Sequence, residues 1–157
     1  MKILVNFKED SWLYALISAI LGVISIFTPA FNTEAAMGGT TNYWLGGLIG
    51  YMTGGDTDEW GGYVGGNLWY LGITLISITL LLVYAINAWR GKEFKWDWLI
   101  YLLSGLGMFI FSILFWVYFD TDYTIGFASI GIFISGIIAI VAFVFDKFGD
   151  KLFGRGE

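Results

Sequence analysis

The acidic residues that could do chemistry lie in two short segments that share the tripeptide Asp-Thr-Asp. The first copy spans Asp56–Asp58 and is extended by Glu59, and the second spans Asp120–Asp122. Carboxylates one residue apart suit a hard cation such as Ca²⁺, which prefers several oxygen ligands. The candidate calcium ligands are therefore Asp56, Asp58, Glu59, Asp120 and Asp122. The simpler interpretation is a pair of solvated turns, with Asp122 as a cap on the helix that follows.

Other kinds of site lack the residues they need. The chain contains no cysteine and no histidine, which excludes disulfides, thiol chemistry, haem ligation by histidine and histidine metal sites. No hydroxyl nucleophile has a recognisable base near it in the sequence. We therefore expect a protein that is not an enzyme and has no cofactor apart from the candidate calcium.

Four apolar runs without a charged residue must position these segments. They are Ser11–Phe31, Leu68–Trp89, Trp98–Phe119 and Tyr123–Phe145. Each has about the length, roughly 20 residues, that a helix needs to cross a bilayer. The chain is also 57 % hydrophobic, with a mean hydropathy of +0.73. The sequence therefore predicts an all-α membrane protein: a single domain over residues 1–157 that forms an antiparallel bundle of four transmembrane helices.

The basic residues predict the direction in which the four helices cross. All eight lie before the first run, between the second and third, or in the tail 146–157: Lys2, Lys8, Arg90, Lys92, Lys95, Lys147, Lys151 and Arg155. By the positive-inside rule these segments face the cytoplasm, so both termini lie there and the cell membrane is the expected location. The outer segments hold acidic residues and no basic ones, so that side attracts cations and repels nucleic acid.

The long link 32–66 is predicted to form a small glycine-rich sheet on the outer side. The pairs Gly38-Gly39, Gly46-Gly47 and Gly54-Gly55 recur at a constant spacing in it. Gly-Gly between short β-favouring runs indicates hairpin turns, because type I′ and II′ turns need positive φ. We expect a β-meander within Thr40–Trp60. A flexible loop and a re-entrant helix are the alternatives.

Small residues follow one face of the fourth run: Ala128, Gly131, Ser135, Ala139 and Ala142. Small side chains let two helices approach closely in lipid, where the hydrophobic effect does not drive helices together. One interpretation is packing within the four-helix bundle. The other is a seam between protomers, with Gly131, Ser135 and Ala139 as contact residues.

The layout is similar to that of the claudin-like tetraspan proteins over most of the chain. Tyr43-Trp44-Leu45-Gly46-Gly47-Leu48 resembles that family's outer-loop signature of a Trp followed by Gly-Leu-Trp, while the two cysteines of the family are absent here. The resemblance implies a non-enzymatic protein that associates laterally and through its outer loops.

The expected function is that of a structural or interaction protein, either a homo-oligomer or an accessory subunit of a membrane complex. Aromatic residues are enriched among interface anchors, so the candidate contacts in the outer loop are Tyr43, Trp44, Tyr51 and Trp60. The alternative is a cation-selective pore, or a subunit that regulates one, in which the outer carboxylates concentrate cations.

Single cysteines at Thr57 and Lys92 test the predicted orientation. Because the chain has no cysteine of its own, each variant carries one reactive thiol. A membrane-impermeant thiol reagent is expected to label Thr57→Cys on intact cells and Lys92→Cys only after permeabilisation. Labelling of both thiols from the same side would contradict the four-span arrangement.

Overall fold

The structure, a computed structural model, describes residues 8–34, 39–53, 56–62, 68–92, 94–117 and 123–152; at residues 51–53 and 56–58 it describes the backbone alone. This part of the chain is mostly helical. Its helices are α1 (Ser11–Ile26), α2 (Leu68–Trp89), α3 (Asp97–Val117) and α4 (Phe127–Leu152). Its strands are β1 (Phe31–Glu34), β2 (Thr40–Tyr43), β3 (Leu48–Thr53), β4 (Asp56–Gly62) and β5 (Thr124–Ile125).

Three helices, α2, α3 and α4, are long and apolar enough to cross a membrane, with 22, 21 and 26 residues. The first is shorter than predicted, because α1 has 16 residues and ends at Ile26, whereas the sequence predicts a helix over 11–31. Pro29 causes the difference, since it lacks an N–H and disfavours helical φ/ψ at the residue before it. Phe31, predicted to end the helix, instead begins β1.

The fourth helix is displaced along the chain from its predicted range 123–145. Thr124 and Ile125 pair with β1 as a short strand, so α4 begins at Phe127. It then continues to Leu152, well into the predicted tail. An ion pair of 2.6 Å between the Lys8 ammonium and the Asp150 carboxylate holds its last turns against the start of α1. The second helix has the predicted bounds, and the third is described over 97–117 in place of 98–119.

The antiparallel sheet has the strand order β4-β3-β2-β1-β5. The predicted meander is confirmed for β2, β3 and β4, which pair in succession. Gly46 and Gly47 have φ of 94° and 93° at the β2–β3 turn, as the hairpin interpretation requires. The second predicted turn, Gly54-Gly55, lies outside the described residues. Strands β1 and β5 were not predicted from the sequence.

The helices form a ring in which α1 and α3 each pack against both α2 and α4. Small residues let the backbones of α3 and α4 lie close together. A Cβ atom added to Gly136 would lie 2.7 Å from the Phe109 amide nitrogen and 2.9 Å from the Gly105 carbonyl oxygen. Both are backbone atoms, which cannot move aside as the end of a flexible side chain can.

Buried hydroxyl groups connect the helices in pairs. Ser135 Oγ donates to the Ser18 carbonyl oxygen at 2.6 Å and Ser18 Oγ donates to the Ser135 carbonyl oxygen at 2.7 Å, so α1 and α4 are joined by reciprocal hydrogen bonds. Between α2 and α3, the hydroxyls of Tyr70 and Ser112 are 2.6 Å apart. These hydrogen bonds satisfy polar groups that would be costly to bury alone.

Alanine substitutions at two helical glycines test the close packing of α4. Gly136→Ala places a methyl group against the α3 backbone and should lower the free energy of unfolding by about 1–3 kcal/mol. Gly72→Ala is the matched control, because a Cβ there meets no described atom within 4 Å. Thermal unfolding in detergent should show a lower Tm for the first variant and an unchanged or higher Tm for the second. Equal Tm values would contradict this packing.

Candidate functional site

The five-stranded sheet covers one end of the bundle. The ring of Phe31 in β1 lies 6.2 Å from that of Phe115 in α3, and Gly46 in the β2–β3 turn lies against Leu71 of α2. The segments rich in basic residues flank the opposite end, where Lys147 lies 4.2 Å above the Trp98 ring. The sheet is therefore the part of the described chain that projects from the bundle on its acidic side.

An aromatic cluster of Phe31, Tyr43 and Tyr123 attaches the sheet to the bundle. The Phe31 and Tyr43 rings stack with centroids 4.6 Å apart, and Tyr123 meets them edge-on at 5.3 and 5.7 Å. Burial raises the pKa of Tyr43, and the neighbouring Tyr123 raises it further. Tyr43, a predicted contact residue, therefore faces inward, because the register pairs it directly with buried Phe31, on the same face of the sheet.

Trp44 and Trp60 form a pair on the other face of the sheet. Their ring centroids lie 5.1 Å apart, and the Trp44 indole N–H donates to the Phe27 carbonyl oxygen at the end of α1, at 3.2 Å. The register pairs Trp60 with Gly50 and Leu48 with Gly62, so Leu48 shares this face. Trp60 is 59 % exposed and Leu48 44 %. The predicted contact residues Trp44 and Trp60 therefore lie side by side. Of Tyr51, in β3, the structure describes the backbone alone.

Strand β4 forms one edge of the sheet. In the described part of the chain it pairs with β3 alone, which leaves the backbone groups on its other side open. Three of its seven residues are acidic: Asp56, Asp58 and Glu59. Asp58 is the extra residue of a bulge, since Glu59 pairs with Tyr51 and Thr57 with Met52. An open edge strand that contains acidic residues leaves backbone groups free to pair with another polypeptide strand.

The candidate calcium ligands are brought together only in part. Asp56, Asp58 and Glu59 share β4, and Glu59 is exposed. The side chains of Asp56 and Asp58, and all of Asp120 and Asp122, lie outside what the structure describes. Among the side chains that are described, no group of three acidic residues could hold a metal ion. Calcium binding at this face stays a prediction.

The small residues of α4 pack within the chain. Gly131, Ser135 and Ala139 are all buried, and a Cβ at Gly131 would collide with the Ser25 hydroxyl of α1. Ser135 bonds to Ser18 of the same helix α1. This packing corresponds to the first interpretation of the stripe, because α1 occupies the face at Gly131 and Ser135; a seam between protomers stays a prediction.

A polar cluster lies at the opposite end of the bundle, and it was not predicted from the sequence. Ser11 Oγ donates to Asp146 Oδ1 at 3.5 Å, and buried Asp97 accepts a hydrogen bond from the Phe94 amide at 3.0 Å. These residues and Tyr101 line one small cavity. One signal in the sequence concerns this cluster: Asp97 is suited to cap α3. Ser11 and Asp146 lie too far apart along the chain for a local pattern to link them.

No protein-family model matches the chain, and no curated protein is similar enough in sequence to count as a relative.

Alanine substitutions at Phe31 and Trp60 should separate the attached face of the sheet from the open one. Phe31→Ala removes a buried ring from the aromatic cluster and should cost about 3–5 kcal/mol. Trp60→Ala, in the same sheet, should cost less than about 1 kcal/mol because most of the ring is exposed. Amide hydrogen exchange of β1 and β2 measures both effects. A larger loss of protection in Trp60→Ala than in Phe31→Ala would contradict the assignment of the two faces.

Proposed function

We propose that the chain is an integral membrane protein that spans the bilayer four times and associates with another membrane protein through the open edge of β4. Binding, not catalysis, is its function, either as an accessory subunit or as part of a larger assembly. Both termini lie in the cytoplasm and the sheet lies outside the cell. The open, acidic edge strand is the observation that carries this proposal.

The surface of the bundle supports a position in lipid. Exposed apolar side chains cover the outward faces of all four helices, where a soluble protein would place charges. They include Leu13, Ile17, Ile20, Ile24, Leu75, Ile76, Val83, Leu103, Ile110, Ile130, Ile134 and Ile137. Although α1 is short, its packing between α2 and α4 in the ring supports a fourth crossing beside them.

The β4 edge supports association with a partner. Open edge strands pair readily with another chain, and natural monomers commonly protect them with Lys or Pro. This strand has neither, and its bulge at Asp58 and its three acidic residues restrict pairing to a partner of complementary charge. Its acidic residues oppose antiparallel pairing with a second copy, because the carboxylates of both strands would lie side by side. Charge therefore favours a partner with a basic extended segment over a homo-oligomer.

The interior of the bundle favours association over conduction by a single chain. Tyr70, Leu81 and Met108 are fully buried and fill the space between the helices. Chain interiors packed in this way hold few voids larger than a water molecule.

Charge reversal on β4 tests the proposal. In Asp56→Lys/Asp58→Lys/Glu59→Lys the edge becomes basic and should repel the partner, reducing the amount of co-purified protein at least about tenfold, or roughly 1.4 kcal/mol. Purification in mild detergent, followed by native mass measurement, gives the composition of the complex. The Tm should stay unchanged, which shows that the sheet still folds.

Glu34→Lys is the matched control, since Glu34 is an exposed acid on β1, away from the β4 edge. This variant should retain the partner. Recovery of the unmodified protein as a monomer without a companion, or an unchanged complex in the triple variant, would overturn the proposal. A complex made only of copies of this chain would contradict the proposal of a basic partner but would agree with association.

A further inference from the structure

The exposed apolar surface of α1 continues beyond the end of the helix. Ile20, Ile24 and Phe27 lie on one face and are 48 %, 52 % and 78 % exposed. The hydrogen bond from the Trp44 indole to the Phe27 carbonyl places the Trp44–Trp60 pair directly beside the end of this stripe. One apolar surface therefore runs from the helix onto the sheet.

We propose that Phe27, Trp44, Leu48 and Trp60, called here the tryptophan patch, lie in the outer headgroup layer of the bilayer that the bundle spans. Their ligand is the lipid surface, at the boundary between acyl chains and headgroups. This inference rests on the proposed membrane function and goes beyond it, because it assigns Trp44 and Trp60 to lipid and leaves the β4 edge for the protein partner.

The length of α1 explains why lipid contact is needed at this position. Its 16 residues span about 24 Å, whereas the hydrocarbon core of a bilayer is about 30 Å thick. Its neighbour α2, with 22 residues, spans about 33 Å. On the α1 side the bundle is thus about 6 Å too short for the hydrocarbon core, and the patch supplies apolar surface there.

The residue types in the patch suit the interface. Tryptophan combines a large apolar ring with an N–H donor and is enriched where acyl chains meet headgroups. The Trp44 indole N–H is bonded to a carbonyl at the end of α1, a helix terminus whose acceptors otherwise need water. The patch itself contains no charged residue.

The course of β4 places the patch at the level of the bilayer and the acidic residues above it. The strand runs from Asp56 to Gly62, and α2 begins soon after, at Leu68. Trp60 therefore lies at the end of β4 near the bundle, whereas Asp56 lies at the far end. Gly46, in the neighbouring turn, contacts Leu71 in the first turn of α2. Carboxylates at the level of the acyl chains would be costly. Asp56 lies at the far end of the strand, and Glu59, although next to Trp60, projects from the opposite face of β4.

Lipid-depth quenching of single fluorescent probes tests the assignment. Leu48→Cys and Phe27→Cys place a thiol in the patch while keeping both tryptophans, and Glu59→Cys is the matched control on the opposite face of β4. Each purified variant is labelled with a nitrobenzoxadiazole probe and reconstituted into phosphatidylcholine vesicles. A lipid that carries a doxyl group near the headgroup should quench the two patch probes at least about twofold more than the Glu59 probe. Aqueous iodide should quench the Glu59 probe more strongly.

A probe at Ile76→Cys, in the middle of α2 and 63 % exposed, separates the two levels of the proposal. If a doxyl group deep in the acyl chains fails to quench it, the membrane-spanning function itself fails. If it is quenched but the patch probes respond to iodide alone, only the lipid contact of the patch is overturned. Patch probes shielded from both quenchers would also overturn it, because they would indicate that a second copy covers the patch.

Discussion

The close approach of α4 to its two neighbours is the contact on which the rest of the structure depends. Gly131 lies against Ser25 of α1, and Gly136 lies against the backbone of α3, so side chains at either position would push the helices apart. The Ser18–Ser135 hydrogen bonds fix the register of α1 on α4 in the same region. In the membrane location that we propose, apolar burial does not drive helices together, so backbone proximity and interhelical hydrogen bonds are the interactions that hold them.

The same helix positions the sheet. Gly126, just before α4, donates its N–H to the Ala30 carbonyl at 2.8 Å, and the Ala128 N–H reaches the Pro29 carbonyl at 3.0 Å. A Cβ at Gly126 would collide with the Pro29 carbonyl, so only glycine allows the α1 exit and the α4 entry to touch. With β5 paired to β1, the sheet is anchored at both of these points. Its orientation then determines which face meets the bundle, which face meets lipid in our proposal, and which edge stays open.

Local patterns predicted the elements well where one physical rule applied along the segment. The α2 bounds follow the apolar run, and the β2–β3 turn follows from two glycines that adopt positive φ. Prediction failed where the same apolar pattern is compatible with two kinds of secondary structure. An unbroken apolar run through Phe31 fits a helix or a buried strand equally well, and the pairing of Phe31 with Ile125 is a contact between distant parts of the chain. Pro29 ends α1 early, and that pairing shows why Phe31 begins a strand and why α4 begins late.

By itself the sequence determined the helical character of the chain, the separation of basic from acidic segments and the positions of the glycine turns. These depend on local composition and backbone preference. Tertiary structure alone decided that Tyr43 faces the bundle while its neighbour Trp44 faces outward, and that Ser135 bonds to Ser18 within one chain. The sequence of this strand does not show which of its two faces is buried. A stripe of small residues does not show which helix packs against it. Which face is buried depends on the surface that packs against it, and that surface comes from elsewhere in the chain.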